Sequence, residues 1–206
     1  MTWLLVWMTS GMACGAAADQ SGQIEQVYDS NGKLQLLKYD ADRNGTIDTW
    51  SYMDGPRILR IELDANEDGI VDRWEYYTED QQVEKIGSSR LADGNVDTWT
   101  YFAPDGSVSR RDVSTGRNGT ANRTEYYEAG ALIRAEEDTN GDARPDKWEE
   151  YEGGRLATVA FDTKHQGAPD RRLVYGRGGT ARLEVSPKGD GQFVPAETAG
   201  AGTPGR

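Results

Sequence analysis

The sequence predicts an all-β protein, a tandem array of antiparallel β-hairpins about 24 residues long that form a twisted sheet or an open solenoid. Its main support is a recurring loop position. Gly45, Gly69, Gly94, Gly119, Ala143, Gly167 and Gly191 follow one another at spacings of 24, 25, 25, 24, 24 and 24 residues. Asp48, Asp72, Asp97, Asn122, Asp146 and Asp170 each stand three residues further on, and an aromatic column follows them. Between loops the chain alternates large and small residues with a period of two, as strands do. Self-similarity at such a period marks units that cannot bury a face alone and therefore stack on their neighbours.

Taken in order, residues 1–18 read as an export signal. Trp3-Leu4-Leu5-Val6-Trp7-Met8 is an apolar run followed by small residues from Ala13 to Ala18. The run is too short for a membrane-spanning helix, which needs about 20 apolar residues. Two processing routes fit: cleavage after Ala18, or lipid attachment at Cys14, the sole cysteine, preceded by Ala13 as in a bacterial lipobox. The expected location is the periplasm, outer membrane or cell surface of a bacterium, with membrane contact only through that anchor. Residues 19–39 look like a degenerate first hairpin, 40–194 like the full array, and 195–206, rich in Gly, Ala, Pro and Thr, like a disordered tail.

Each unit reads as acidic loop, strand, tight turn, strand. Asp48-Thr49-Trp50-Ser51-Tyr52 alternates, Asp54-Gly55 turns, and Ile58-Leu59-Arg60-Ile61-Glu62-Leu63 returns. Asp105-Gly106, Ala129-Gly130, Gly153-Gly154 and Gly178-Gly179 repeat the turn, supplying the positive φ that tight hairpins need.

Composition narrows the function. With 23 Lys and Arg against 35 Asp and Glu, the net charge of -12 argues against a nucleic-acid partner and favours cations. Hydrophobic residues make up only 36% of the 206, so a thick core is hard to fill, and Tyr, Trp and bound metal must contribute to stability. No nucleophile elbow, phosphate loop or zinc-ligand cluster appears, and the single histidine, His165, sits in a degenerate loop. The chain reads as non-enzymatic.

The acidic loops carry the chemistry. The first offers Asp40, Asp42, Asn44 and Asp48, the second Asp64, Asn66, Asp68 and Asp72, and the fifth Asp138, Asn140, Asp142 and Asp146, at positions 1, 3, 5 and 9. The carbonyls of Thr46, Ile70 and Arg144 at position 7 add an oxygen each. Calcium is a hard cation that takes six to eight oxygens, and alternate residues of a curled loop point inward together. Glu75, at position 12 of the second loop, alternates away from Trp74 and Tyr76 and is a doubtful ligand. Ligands are fewer in the third loop (Ser89, Asp93, Asp97), and no tight site is expected in the fourth or in the sixth, where Lys164 takes position 3.

The pattern D-x-[DN]-x-[DN]-G-x-x-D resembles the calcium loop of EF-hands, dockerins, thrombospondin type 3 repeats and integrin-propeller repeats, and the resemblance implies Ca2+ as the cofactor. The hairpin half, on runs such as Tyr52-Met53-Asp54-Gly55, is similar to the YD and MORN-like hairpin repeats of bacterial surface proteins, which implies architecture alone. The expected function is that of an exported calcium-binding structural or adhesive repeat protein. The alternative is a surface module that binds a cell-surface glycan or protein through an aromatic stripe of Trp50, Trp74, Trp99 and Trp148.

Overall fold

The computed structural model describes residues 24–199; the export signal and Cys14 lie outside the described residues. The strands are β1 (Ile24–Tyr28), β2 (Leu34–Tyr39), β3 (Thr49–Asp54), β4 (Arg57–Leu63), β5 (Arg73–Tyr77), β6 (Val83–Ser88), β7 (Thr98–Phe102) and β8 (Val108–Val113). They continue as β9 (Arg123–Glu128), β10 (Ala131–Glu137), β11 (Lys147–Glu152), β12 (Arg155–Phe161), β13 (Arg171–Tyr175), β14 (Ala181–Val185) and β15 (Val194–Pro195). All belong to one antiparallel sheet whose order in space is the order in sequence, with β1 and β15 at opposite edges. The sheet is open, not a barrel.

Strand connections alternate between the two ends of the strands. Short turns occupy one rim, and the long loops 40–48, 64–72, 89–97, 114–122, 138–146, 162–170 and 186–193 line the other. Two of the short turns, Ala129-Gly130 (φ 48° and 77°) and Gly153-Gly154 (φ 55° and 75°), have both central residues left-handed, as a type I′ hairpin requires. One turn that no glycine signals, 78–82, is closed by Thr78 N–H donating to Gln82 O at 2.8 Å, with Gln81 at φ 60°. In β1–β2, β3–β4, β5–β6, β7–β8, β9–β10 and β11–β12 the register slips near the short turn, so one residue bulges from the second strand. Leu59 and Ile133 are two such residues, and both are exposed. A bulge repeated at the same place in successive hairpins adds to the right-handed twist of the sheet.

Of the tail predicted from composition at 195–206, residues 195–199 are described and 200–206 lie outside the described residues. Pro195 pairs with Glu184, and α1 (Ala196–Ala199) makes one helical turn against β14 and β15. The edge of β14 provides backbone partners that composition alone does not reveal.

The sheet is a single layer. Of the described hydrophobic side chains only Ala135 and Val159 are buried, so neighbouring strands, not a second layer, supply the packing. On one face, cross-strand register sets Trp50, Glu62, Trp74, Gly87 and Trp99 in one row and Tyr52, Arg60, Tyr76, Lys85, Tyr101 and Arg110 in the next. Cations cover the tyrosine rings: Arg60 lies 3.9 Å from the centre of Tyr52, Arg110 4.0 Å from Tyr101 and Arg134 3.6 Å from Tyr126. Such pairs contribute about 0.5–1 kcal/mol each at exposed sites. The tryptophans therefore do not form an uninterrupted ladder; every second place in their row belongs to another residue. On the opposite face Arg123 bridges Glu125 (3.0 Å), Glu137 (3.2 Å) and Glu149 (2.6 Å) across three strands.

Candidate metal centres on the loop rim

Each long loop is built by its own backbone amides. The N–H of position 9 donates to the residue before the loop, as Asp48 does to Tyr39 O (3.1 Å) and Asp146 to Glu137 O (2.9 Å), which closes the loop at its base. The N–H of the next loop's first residue donates back to that position 9: Asp64 to Asp48 O (2.9 Å), Ser114 to Asp97 O (2.7 Å), Asp162 to Asp146 O (2.9 Å). Consecutive loops thus stack, with the ninth residue of one beside the first of the next.

Within a loop, position 1 accepts the N–H of position 6: Gly45 to Asp40 at 2.8 Å, Gly69 to Asp64 at 2.8 Å, Ala143 to Asp138 at 2.8 Å and Gly167 to Asp162 at 2.6 Å. Position 9 accepts the N–H of position 2, as Asp48 does from Ala41 (3.0 Å) and Asp72 from Ala65 (2.9 Å). The curl depends on a second left-handed residue that the glycine pattern does not announce. Position 4 has positive φ in all seven loops: Arg43, Glu67, Ala92, Arg117, Gly141, His165 and Gly189. A non-glycine residue is held there because amides on both sides are committed to side-chain oxygens of the loop.

In the first loop the carboxylates of Asp40, Asp42 and Asp48 come together, with one oxygen from each within 4.8 Å of the others. Asp40 and Asp48 are buried and Asp42 is exposed, so the cluster opens to solvent on one side. It is the one convergence of this kind among the described residues. Asn44 donates its N–H to Asp42 (3.1 Å) and its side-chain amide to both Asp42 and Glu67 of the next loop. Thr46 N–H donates to Asn44 Oδ1 at 2.8 Å.

The second and fifth loops repeat the fold but hold their acids less closely. Asn66 donates to Asp68 at 3.0 Å, and Ile70 N–H donates to Asp68 at 2.9 Å. In the fifth loop Asn140 donates to Asp142 at 3.3 Å, Asp142 N–H returns to Asn140 at 2.8 Å, and Arg144 N–H donates to Asp142 at 2.9 Å. Burial pushes the Asp138 carboxyl up, but the N–H groups of Gly141 and Ala143 outweigh it and hold the group below the usual carboxylate range. Asp138 is therefore an anion whether or not a cation is present. Among the described residues no hydrogen bond ends on the carbonyls of Thr46, Ile70 or Arg144.

Burial separates the loops further. Asp64 Oδ1, Asp72 Oδ1, Asp97 Oδ1 and Asp146 Oδ2 are shielded from solvent and accept no hydrogen bond. An ionised oxygen in that position carries a large desolvation penalty unless a proton donor or a cation meets it. In the fourth and sixth loops position 9 is satisfied from within. Asn122 Oδ1 accepts the N–H of Thr115 (2.9 Å) while its amide donates to Asp138 O (3.2 Å). Asp170 takes Thr163 Oγ1 on both oxygens (3.0 Å each), and the Lys164 ammonium stands 4.0 Å away. An all-oxygen donor set without thiolate suits a hard divalent cation.

Glu75 is no part of this rim. It lies on a strand, accepts Arg73 Nε at 2.6 Å and Tyr77 Oη at 2.8 Å, and faces away from Trp74 and Tyr76. His165 points to the neighbouring fifth loop, its Nδ1 2.9 Å from Asn140 Nδ2.

No protein-family model matches the chain, and no curated protein matches it by sequence. Among solved structures it is similar to a chain in the crystal structure of accessory secretory protein 1, 2 and 3 in Streptococcus pneumoniae, at 13% identity and a TM-score of 0.27. The likeness covers 68% of this chain and 19% of that one.

Proposed function

We propose that the protein is an exported calcium-binding repeat protein of structural or adhesive role, in which ions held along the loop rim stiffen a single-layer sheet. The convergence of Asp40, Asp42 and Asp48 carries this reading. Three carboxylates so close repel one another, and a divalent cation turns that repulsion into attraction. Asp64, Asp72 and Asp146 support it, because each leaves a shielded oxygen that a cation would meet. Asp40, Asp42, Asn44 and Asp48, with the Thr46 carbonyl, would hold the first ion. Asp64, Asn66, Asp68 and Asp72 with the Ile70 carbonyl, and Asp138, Asn140, Asp142 and Asp146 with the Arg144 carbonyl, would hold the others.

The consequence for stability is direct. Little apolar surface is buried here, so binding energy adds to folding energy. Each site filled at ten times its dissociation constant would contribute about 1.4 kcal/mol. Thermal melts of the purified chain in chelator and in millimolar calcium test this, and the melting temperature should rise by several degrees with calcium and fall back on chelation. Superimposable melts would remove calcium from the account. Asp40→Asn should reduce the rise, since it takes charge from the closest cluster.

A further inference from the structure

The third loop, 89–97, has a leucine where its neighbours have Asp or Asn, and by ligand count it looks spent. Its interior shows otherwise. Asp97 is 3% exposed, one of the most deeply buried carboxylates of the described residues. Its Oδ2 reaches across the loop to accept the N–H of Arg90 at 2.8 Å, and its Oδ1, shielded from solvent, meets no donor. Asp72 and Asp146 share this condition at the ends of the second and fifth loops, whereas Asn122 and Asp170 do not. The uncompensated oxygen therefore groups the third loop with two of the loops assigned an ion.

Further donors stand in the same curl. Ser89 Oγ lies 3.2 Å from Asp93 Oδ1, and Asn95 gives Asp93 both its N–H (3.0 Å) and its side-chain amide (3.1 Å). Ala92 and Gly94 take the same left-handed conformations as positions 4 and 6 elsewhere on the rim, so the backbone has the shape of the acidic loops. Leu91 is 55% exposed and contributes nothing inside.

We infer that loop 89–97 is a fourth site for a hard divalent cation of the calcium class, held by Asp97, Asp93, Ser89 and the Asn95 carbonyl. It rests on the calcium reading of the rim. With two carboxylates instead of three it binds more weakly than the first loop, because affinity in such loops follows charge count.

Loop four supplies the design of the test, since Asn122 is what Asp97→Asn would produce: an amide whose oxygen accepts the position-2 N–H and whose nitrogen donates to the next loop's first carbonyl. For Asp97 that carbonyl belongs to Ser114, whose own N–H already donates to Asp97 O. The measurements are calorimetric titration with calcium chloride and thermal melts in chelator and in calcium, on the full chain and on the Asp97→Asn and Asp93→Asn variants. The full chain should take up one more ion than either variant. In chelator Asp97→Asn should melt no lower than the parent, and in calcium it should melt lower. Equal ion counts in parent and variants would overturn the fourth site while leaving the other three. An equal fall in melting temperature with and without calcium would show that Asp97 merely supports the loop. A parent that binds no calcium would overturn the rim reading as a whole.

Discussion

At the scale of single residues, charge is held in two different ways on this sheet. On the rim, carboxylates are oriented by amides and some oxygens remain uncompensated, which suits a mobile ion. On the strands, carboxylates are matched by fixed cations. Glu149 is the clearest case of the second kind: burial pushes its carboxyl up, but Arg123, Lys147 and Tyr151 outweigh this and hold it at about 2, against an ordinary 4.5. A carboxylate depressed in the folded state stabilises it above the unfolded pKa and loses that contribution as pH falls through the folded one. Here the contribution is complete above pH 4.5 and disappears toward pH 2. It is on the order of 3 kcal/mol at neutral pH. Glu149→Gln should therefore melt well below the parent at pH 7 in calcium-free buffer, and the gap should narrow as pH drops toward 2. A gap independent of pH would mean that packing, not charge, accounts for the loss. Tyr77 on β5 shows the converse effect, since burial and the Glu75 carboxylate push its phenol up to about 12.

At the scale of elements, a hairpin is fixed by what its strands place opposite one another. Gly87 on β6 stands between Trp74 and Trp99 in the tryptophan row. A Cβ at Gly87 would lie 2.8 Å from the Trp99 ring, so the indole lies across bare backbone. The ring also packs against Tyr76 at 5.9 Å and beneath Lys85 at 4.8 Å. This glycine serves close approach, whereas most others in the chain have positive φ. Gly87→Ala should displace the indole, lower stability by about 1–3 kcal/mol and shift the Trp emission. An unchanged melt and spectrum would show that the ring moves aside freely. The alternation was legible in Trp99-Thr100-Tyr101, but the role of Gly87 was not, because its partner belongs to the following strand.

At the scale of the whole molecule, each strand pairs only with its sequence neighbours, so stability is close to a sum of units and junctions. Removing residues 98–122 would join Asp97 to Arg123 in the register that Thr98 now occupies and take away β7, β8 and the fourth loop. That chain should still unfold cooperatively with an unchanged β-sheet spectrum. A deletion one residue longer should fail, because it turns every following side chain to the opposite face. Equal behaviour of the two deletions would contradict a register-bound array. The sequence alone determined the repeat, the order of loop, strand, turn and strand, and the spacing of oxygen ligands from Asp40 to Asp48. These follow from local rules: period-two alternation, glycine at left-handed positions, and side chains two residues apart pointing the same way. Only the tertiary structure decided that the sheet stays open in one layer and that Arg43, Glu67, Ala92, Arg117 and His165 turn left-handed. It also decided which acidic oxygens lack a partner: the position-2 hydroxyl that reaches Asn122 and Asp170 has no counterpart beside Asp97, where Arg90 donates only its N–H. The reason is physical: compensation depends on how the curl brings position 2 onto position 9 and on which oxygens burial shields from water, and ligand spacing records neither.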